Sequence, residues 1–433
     1  MLSCVIGCGE VDVVGRVAGD TESPMAIEGE GAEFNAAVAG APAPIADANA
    51  TTEAADTGTQ ENFEKPLVEP TSTPLSCAQA TKVFDQALCA CNQAAVFGNL
   101  VTTSLGADSS HAHVRVSGPL QASAFVGPLS GDLSVIGDGV TVLASQDAQI
   151  TGALETTTDL GIQGTTTVGG NAFLGGTLLG DGRLVIAGDL HTPNDPQGSN
   201  QLEVGGAALI EALALPTPCH CSGDEALDIF AWVVDARTNN DNIARSFGRE
   251  VLLGLPPGAS IDLPPGRLSV DQLQAAGGVT LRVSGPTTLF IEEQLNVPGD
   301  LRAELSAGAT LSIFVAGEAI VGGTIALGDG SRPGSGRLYV AGAMRAGDST
   351  PVEIPDLDPA SELPMVLGSP VVQVAGASTE WIVNLYAPRL ALALSGQTRV
   401  IGSLYVASLV ALSGLMIDYD QAVLTEAESC DAP

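Results

Sequence analysis

Two phrases near the end of the chain say almost the same thing: NLYAPRLALALSG at 384–396 and GSLYVASLVALSG at 402–414. Leu385 and Tyr386 return as Leu404 and Tyr405 after 19 residues, and Ser395-Gly396 returns as Ser413-Gly414 after 18. Between Asn384 and Met416 there is no acidic residue, and the basic ones are Arg389 and Arg399. A nearly uncharged phrase repeated at a short fixed step constrains a chain severely. Each copy must bury the same face in the same way, which a stack of equal turns does.

The same grammar extends over most of the sequence. HVRVSGPLQAS, LSVIGDGVTVLAS, AQITGALETTTDLGI, TTTVGGNAFLGG and RLVIAGDLH are short alternating runs, each closed by a glycine-containing turn. A second series beginning near Gly248 carries bulky triplets: Leu289-Phe290-Ile291, Ile313-Phe314-Val315, Leu338-Tyr339-Val340, then Leu385-Tyr386 and Leu404-Tyr405-Val406. Its aromatics step by 24, 25, 47 and 19 residues, and the long step holds the Pro-rich loop STPVEIPDLDPASELPMVLGSP at 349–370. An all-β fold follows, a β-solenoid (β-helix) in two blocks, 96–213 and 248–424. Aliphatic side chains point inward, and Phe290, Phe314, Tyr339, Tyr386 and Tyr405 stack in a column. A pair of β-sandwiches would make the 18- and 19-residue steps a coincidence. The abundance of glycine (52 residues) and the 4% aromatic content suit many short strands and tight turns. Two helices are expected beside the strands. Leu227, Phe230, Val233 and Val234 recur at helical spacing within the linker 214–247, and the run SCAQATKVFDQALCACNQAAVF (76–97) reads as a helical cap over 76–95.

The N-terminal part is of another kind. Val5-Ile6-Gly7-Cys8 fits the bacterial lipobox, in which the cysteine thiol accepts lipid and becomes the mature N-terminus, so residues 1–8 read as a truncated signal peptide with Cys8 acylated. Residues 9–75 hold 13 Asp/Glu, two basic residues (Arg16 and Lys65) and two aromatics (Phe34 and Phe63), a composition that cannot bury enough apolar surface to offset its ordering entropy. A disordered acidic tether is expected there, and a short tail at 425–433. Gly9 follows Cys8 where inner-membrane retention commonly uses Asp, so outer-membrane lipid is the expected partner and the outer membrane the expected location. The net charge of −34 disfavours nucleic acid and anionic headgroups.

Leaving aside Cys4 and Cys8, six cysteines remain: Cys77, Cys89, Cys91, Cys219, Cys221 and Cys430. An even number in an exported chain reads as disulfides. The two Cys-x-Cys pairs, CAC and CHC, flank the first block, and pairing between them would tie the cap to the linker. Six cysteines allow fifteen connectivities, which spacing leaves open. A metal site using both pairs with His220 is disfavoured, because structural zinc prefers Cys-x2–4-Cys. His111 and His113 share one side of a strand without an identifiable third ligand, and Asn239–Asn242 with Asp356 and Asp358 lack the EF-hand pattern. No metal and no cofactor is expected. No paired-carboxylate motif repeats on one face, and no nucleophile elbow, phosphate loop or His-Glu-x-x-His occurs.

The elements TNNDN, LPPGR, IFVAG, NLYAP, GSLYV and DYDQAV, in that order over about 225–424, resemble an uncharacterised family of Gram-negative envelope lipoproteins. That family carries a C-terminal β-solenoid domain of unknown function, distantly bactofilin-like. Its closing motif often reads His-Tyr-Asp, where this chain has Asp418. The resemblance implies a fold and no activity. The functional expectation is a non-catalytic, lipid-anchored surface module for structure or adhesion, with surface polysaccharide or an envelope protein as partner. A polysaccharide-acting β-helix enzyme and a bactofilin-like cytosolic filament are the alternatives.

Overall fold

The computed structural model describes residues 83–105, 111–124, 128–194, 201–219, 221, 226–342, 371–374, 378–394 and 396–424. They form a β-solenoid of about twelve turns. Each turn has up to three strands on three sides. Ala259–Leu263, Gly266–Val270 and Leu273–Gln274 make the first turn. Val279–Val283, Thr287–Ile291 and Leu295–Val297 lie on it in parallel register, side over side. Neighbouring turns are ~4.8 Å apart, so like residues stand on like. Phe290, Phe314, Tyr339, Tyr386 and Tyr405 are successive register partners, as the sequence predicts. One residue earlier, Leu289, Ile313, Leu338, Leu385 and Leu404 line the interior, all 1% exposed or less.

The order of the blocks is inverted relative to the sequence. The stack begins with the C-terminal block and passes into the N-terminal one. Leu88, Cys89 and Ala90 pair with Leu404, Tyr405 and Val406. On the first side of that same turn, Leu415–Tyr419 lies between Gln397–Ala411 below and residues 100–104 above. One turn is therefore assembled from both ends of the described chain. From there the first block climbs through Val114–Val116, Leu133–Val135, Leu154–Thr156, Ala172–Leu174 and Leu190–Thr192 to Ala208–Ile210.

This corrects the expected helical cap over 88–95, while 76–82 lie outside the described residues. From Leu88 the segment is a 17-residue strand, Leu88–Ser104, in the middle of the stack, so the first block starts before 96 and 88–95 caps nothing. The pattern misleads because Leu88, Cys89 and Ala90 are buried on both faces, one against the interior and one under the linker. Burial on both faces erases the period of two, and Ala and Gln then read as helix. The interblock helix is present as α1, Ile229–Ala236, capped by the Asp228 carboxylate on the Ala231 amide. A second, four-residue helix, α2, follows at Asn242–Arg245.

Corners are fixed from one turn to the next by small residues and side-chain acceptors. A Cβ at Gly402, where φ is +137°, would lie 2.2 Å from the Val383 carbonyl oxygen of the turn below. Asp132 accepts from the Ala153 amide, Asn171 from Asp189, Asp189 from Ala207 and Asp300 from Thr324, at 2.7–2.9 Å. For Asp300 the Thr324 amide is the first cause holding the carboxyl below its usual range, and Arg302 adds to it. His113 does the same for Asp132, ahead of the opposing effect of burial. Depressed carboxyl values favour the fold above the unfolded-chain value near ~3.9, and that contribution is lost as pH falls through the folded one. The denaturant midpoint should therefore hold between neutral pH and about 5 and drop below about 4, and Asp300→Ala should shrink the drop. Leu404→Ala, in the middle of the interior column, should cost about 2–5 kcal/mol in the same measurement. Leu412→Ala, 44% exposed, should stay within about 0.5 kcal/mol of the parent.

Candidate functional site

Inversion of the blocks forces the linker to travel back along the whole stack, and the features singled out in the sequence meet along its path. Ile210 ends the last turn, and Pro218 accepts a hydrogen bond from Arg115 Nη1, five turns below. Eight extended residues span ~26 Å, close to the ~24 Å of five turns. Cys219 then reaches Cys89, Cys221 reaches Cys91, and the Leu227 amide donates to the Tyr386 hydroxyl at 3.0 Å. Trp232 of α1 sits 5.0 Å from the Phe314 ring, Asp235 pairs with Arg267, and Asp241 and Asn242 bond the first turn. The aromatic column is thus a covered seam. Phe314 and Tyr339 stack at 4.3 Å, Tyr386 and Tyr405 lie 4.8 Å apart, and every ring of the column is at most 3% exposed. Burial pushes the Tyr386 hydroxyl up, in part offset by its bond to the Leu227 amide.

Cys89 occupies the next position of the column after Tyr405. Its sulfur is 2.08 Å from that of Cys219, and Cys91 is 2.17 Å from Cys221. The two Cys-x-Cys pairs therefore face each other at disulfide distance, where linker crosses composite turn. The Cys89, Cys219 and Cys221 sulfurs also lie within 4.8 Å of one another, the one His/Cys/Asp/Glu group among the described residues with metal-holding geometry. Cys8, Cys77, Cys430, His220, Asp356 and Asp358 lie outside the described residues. His111 and His113 have ring centroids 6.0 Å apart, and His113 Nδ1 lies 3.2 Å from the Asp132 carboxylate. Asn239 and Asn240 hold the end of α1 by donating to Asp235 Oδ1 and the Ala236 carbonyl.

Charged side chains pair from turn to turn. Asp418 is 4% exposed and takes Arg399 Nε at 2.6 Å and the Thr103 hydroxyl. Arg399 also reaches Glu380 at 3.2 Å, so this cluster bolts the composite turn to its neighbours. Arg249 holds Asp271 and Glu292, and Glu292 also takes Arg237 at 2.8 Å. Beside α2 lies a concave site the sequence did not announce. An open cleft of about 730 Å³ is lined by Arg245, Asp262, Arg282 and Glu304. Asp262, Arg282 and Glu304 are register partners on successive turns. Arg282 and Asp262 pair at 2.8 Å. Their positions, some 20 residues apart in sequence, become neighbours only through register. At the cleft's rim Ser246 adopts a left-handed conformation at φ +54°.

The family model described as a domain of unknown function (DUF7305) matches residues 228–426. The match takes in α1, the six lower turns and Leu415–Tyr419, and leaves out the strand Leu88–Ser104 that completes the last of them. No curated protein and no solved structure matches the chain.

Peptide mapping of unreduced protein should join Cys89 to Cys219 and Cys91 to Cys221, and thiol titration after denaturation should find none of these four free. Recovery of 89–91 and 219–221 linkages, or a chelator-releasable metal with four titratable thiols, would contradict the pairing.

Proposed function

We propose that the protein is a non-catalytic, lipid-anchored structural or adhesion module of the cell envelope. Acylated Cys8 would hold it to outer-membrane lipid, 9–75 would serve as the acidic tether, and the solenoid would be the presented body. The observation that supports this most is the use made of charge. Arg183–Glu203, Arg282–Asp262, Arg399–Asp418 and Arg249 with Asp271 and Glu292 all link different turns. Side chains committed to one another across turns stiffen a scaffold. Residues 76–433 carry 37 acids and 14 bases, 14 − 37 = −23, which favours solubility and repels copies approaching side to side. Surface polysaccharide or an envelope protein is the proposed partner.

Labelling of the producing cells with a palmitate analogue is expected to mark the parent and to leave Cys8→Ser unmarked, with the parent in the outer-membrane fraction. Equal absence of label from both would sink the anchor.

The cleft favours a second reading, action on or binding of a polysaccharide. Asp262 and Glu304 stand two turns apart, ~10 Å by turn spacing, just beyond the ~6.5–9.5 Å that inverting glycosidases use. Arg282 lies between them and takes up Asp262, which is the arrangement of a ladder. On the structural reading Glu304→Gln leaves any polysaccharide-degrading activity of the purified protein unchanged. Loss of a measured activity in that variant would favour the enzyme.

A further inference from the structure

The two ends of the stack are built differently. At the end formed by the first turn, the outer edge of Gly266–Val270 is occupied by side chains that mimic a strand. Asp241 Oδ2 accepts from the Arg267 amide at 2.8 Å, and the Asp241 amide donates to the Arg267 carbonyl at 2.7 Å. Asn242 accepts from the Ser269 amide at 3.0 Å and donates to the Ser269 carbonyl at 2.6 Å. On the third side the backbone of 249–255 does the same, with Leu252 and Leu255 accepting from Gln274 and Ala276. This end is closed.

The far end is open. Leu202–Val204 and Ala208–Ile210 pair with the turn below, and among the described residues no strand pairs with their outer edges. Leu184, Ile186 and Leu190 are at most 1% exposed because a further turn covers them. Their register partners Leu202, Val204 and Ala208, with Ile210 beside them, point into the same interior and have no strand over them among the described residues; Leu202 and Val204 are half-buried, Ala208 is exposed and Ile210 is 60% exposed. An unpaired edge on an uncovered apolar interior is a template for another strand.

We propose that this end is the interface with a second copy of the same chain, joined end to end about a two-fold axis. Charge supports this occupant. Contacts between two bodies of −23 are disfavoured elsewhere, but Glu203 is already paired with Arg183, and Glu211 with His191 at 2.6 Å. The apposed faces therefore bring in no unpaired carboxylate from these strands. A strand edge meets its own two-fold copy antiparallel, which satisfies the outward amides and carbonyls of both and buries the two apolar interiors against each other. The closed end cannot enter such a contact, since its outermost strand on the second side is already bonded by Asp241 and Asn242. Head-to-tail growth is blocked, and assembly stops at two.

Light scattering coupled to size exclusion on the purified chain at micromolar concentration should give twice the chain mass, and hydrogen exchange should show protected amides over 202–210. The double variant Leu202→Lys/Ile210→Lys, with an unchanged far-ultraviolet spectrum, should run at the single-chain mass and exchange freely there. Should that variant misfold, Leu209→Lys, on the outward face of the same strand, supplies the second test, with an expected rise of about tenfold in the dimer dissociation constant. A single-chain mass for the parent would overturn the proposal. So would protected edge amides in a monomer, which would assign the edge to another part of the same chain, or a polymer longer than two. A dimer that survives both lysine variants would overturn it as well.

Discussion

Everything else in this molecule follows from parallel pairing of one turn with the next. A solenoid turn buries its interior and satisfies its backbone only when another turn lies on each side of it. The chain meets this requirement at its centre in an unusual way. Residues 88–96 and Leu415–Tyr419 together make one turn, with Leu88 on Leu404 and Leu415 on Thr398, and residues 100–104 carry the strand on into the turn above. Each block thereby supplies the cover for the other, and no cap is needed where they meet. The consequence is topological: the exit of the first block and the entry of the second are at opposite ends of the stack, and 211–254 must connect them.

That connection explains why the seam under it has its composition. Outward positions on the second side would ordinarily face water, and on the upper turns they hold Arg115, Ser134, Glu155, Phe173, His191 and Leu209, four of them polar. Where α1 and the preceding linker cross, the same register positions hold Phe290, Phe314, Tyr339, Tyr386 and Tyr405. Aromatic rings fill the space between two backbones and bury large area, so the linker gains a hydrophobic footing. Cys89 and Cys219 mark the point where the aromatic column gives way to a mixed one that begins with Arg115.

Much of this was legible. The 18- and 19-residue steps between NLYAPRLALALSG and GSLYVASLVALSG are one full turn each, and the aromatic column follows from them. The meeting of CAC with CHC was within reach, because both pairs flank the same block. The order of the blocks was not. Register between Leu88 and Leu404 leaves no local trace, and a strand buried on both faces loses the alternation that identifies it. The cleft was hidden for the same reason: Asp262, Arg282 and Glu304 look like scattered surface charges until successive turns bring them into one column. Asp241 and Asn242 sat in a polar run suggestive of a cation site, whereas their acceptors are used on amides of a neighbouring strand.

The composite turn also constrains how the chain reaches this structure. Thr103 and Asp418 are bonded across 315 positions of sequence, and Tyr419 reaches the Phe84 carbonyl across 335. Turns within a block close over about 20 residues, so each block can propagate from neighbour to neighbour. The junction cannot, because closing so long a loop is entropically costly before its contacts form. The strand Leu88–Ser104 can pair early with Val114–Val116 and Leu120–Ala124 of its own block, but its other edge waits until Gln397–Ala411 and Leu415–Tyr419 have been made. Its first stretch, LCACNQAA, is rich in Ala and Cys and poor in large aliphatics. Such a segment is less prone to mispair while it waits than the Val- and Leu-rich strands of Gln397–Ala411 would be. The cysteines of this late strand and of the linker that crosses it, Cys89 with Cys219 and Cys91 with Cys221, then close over the last part of the stack to assemble.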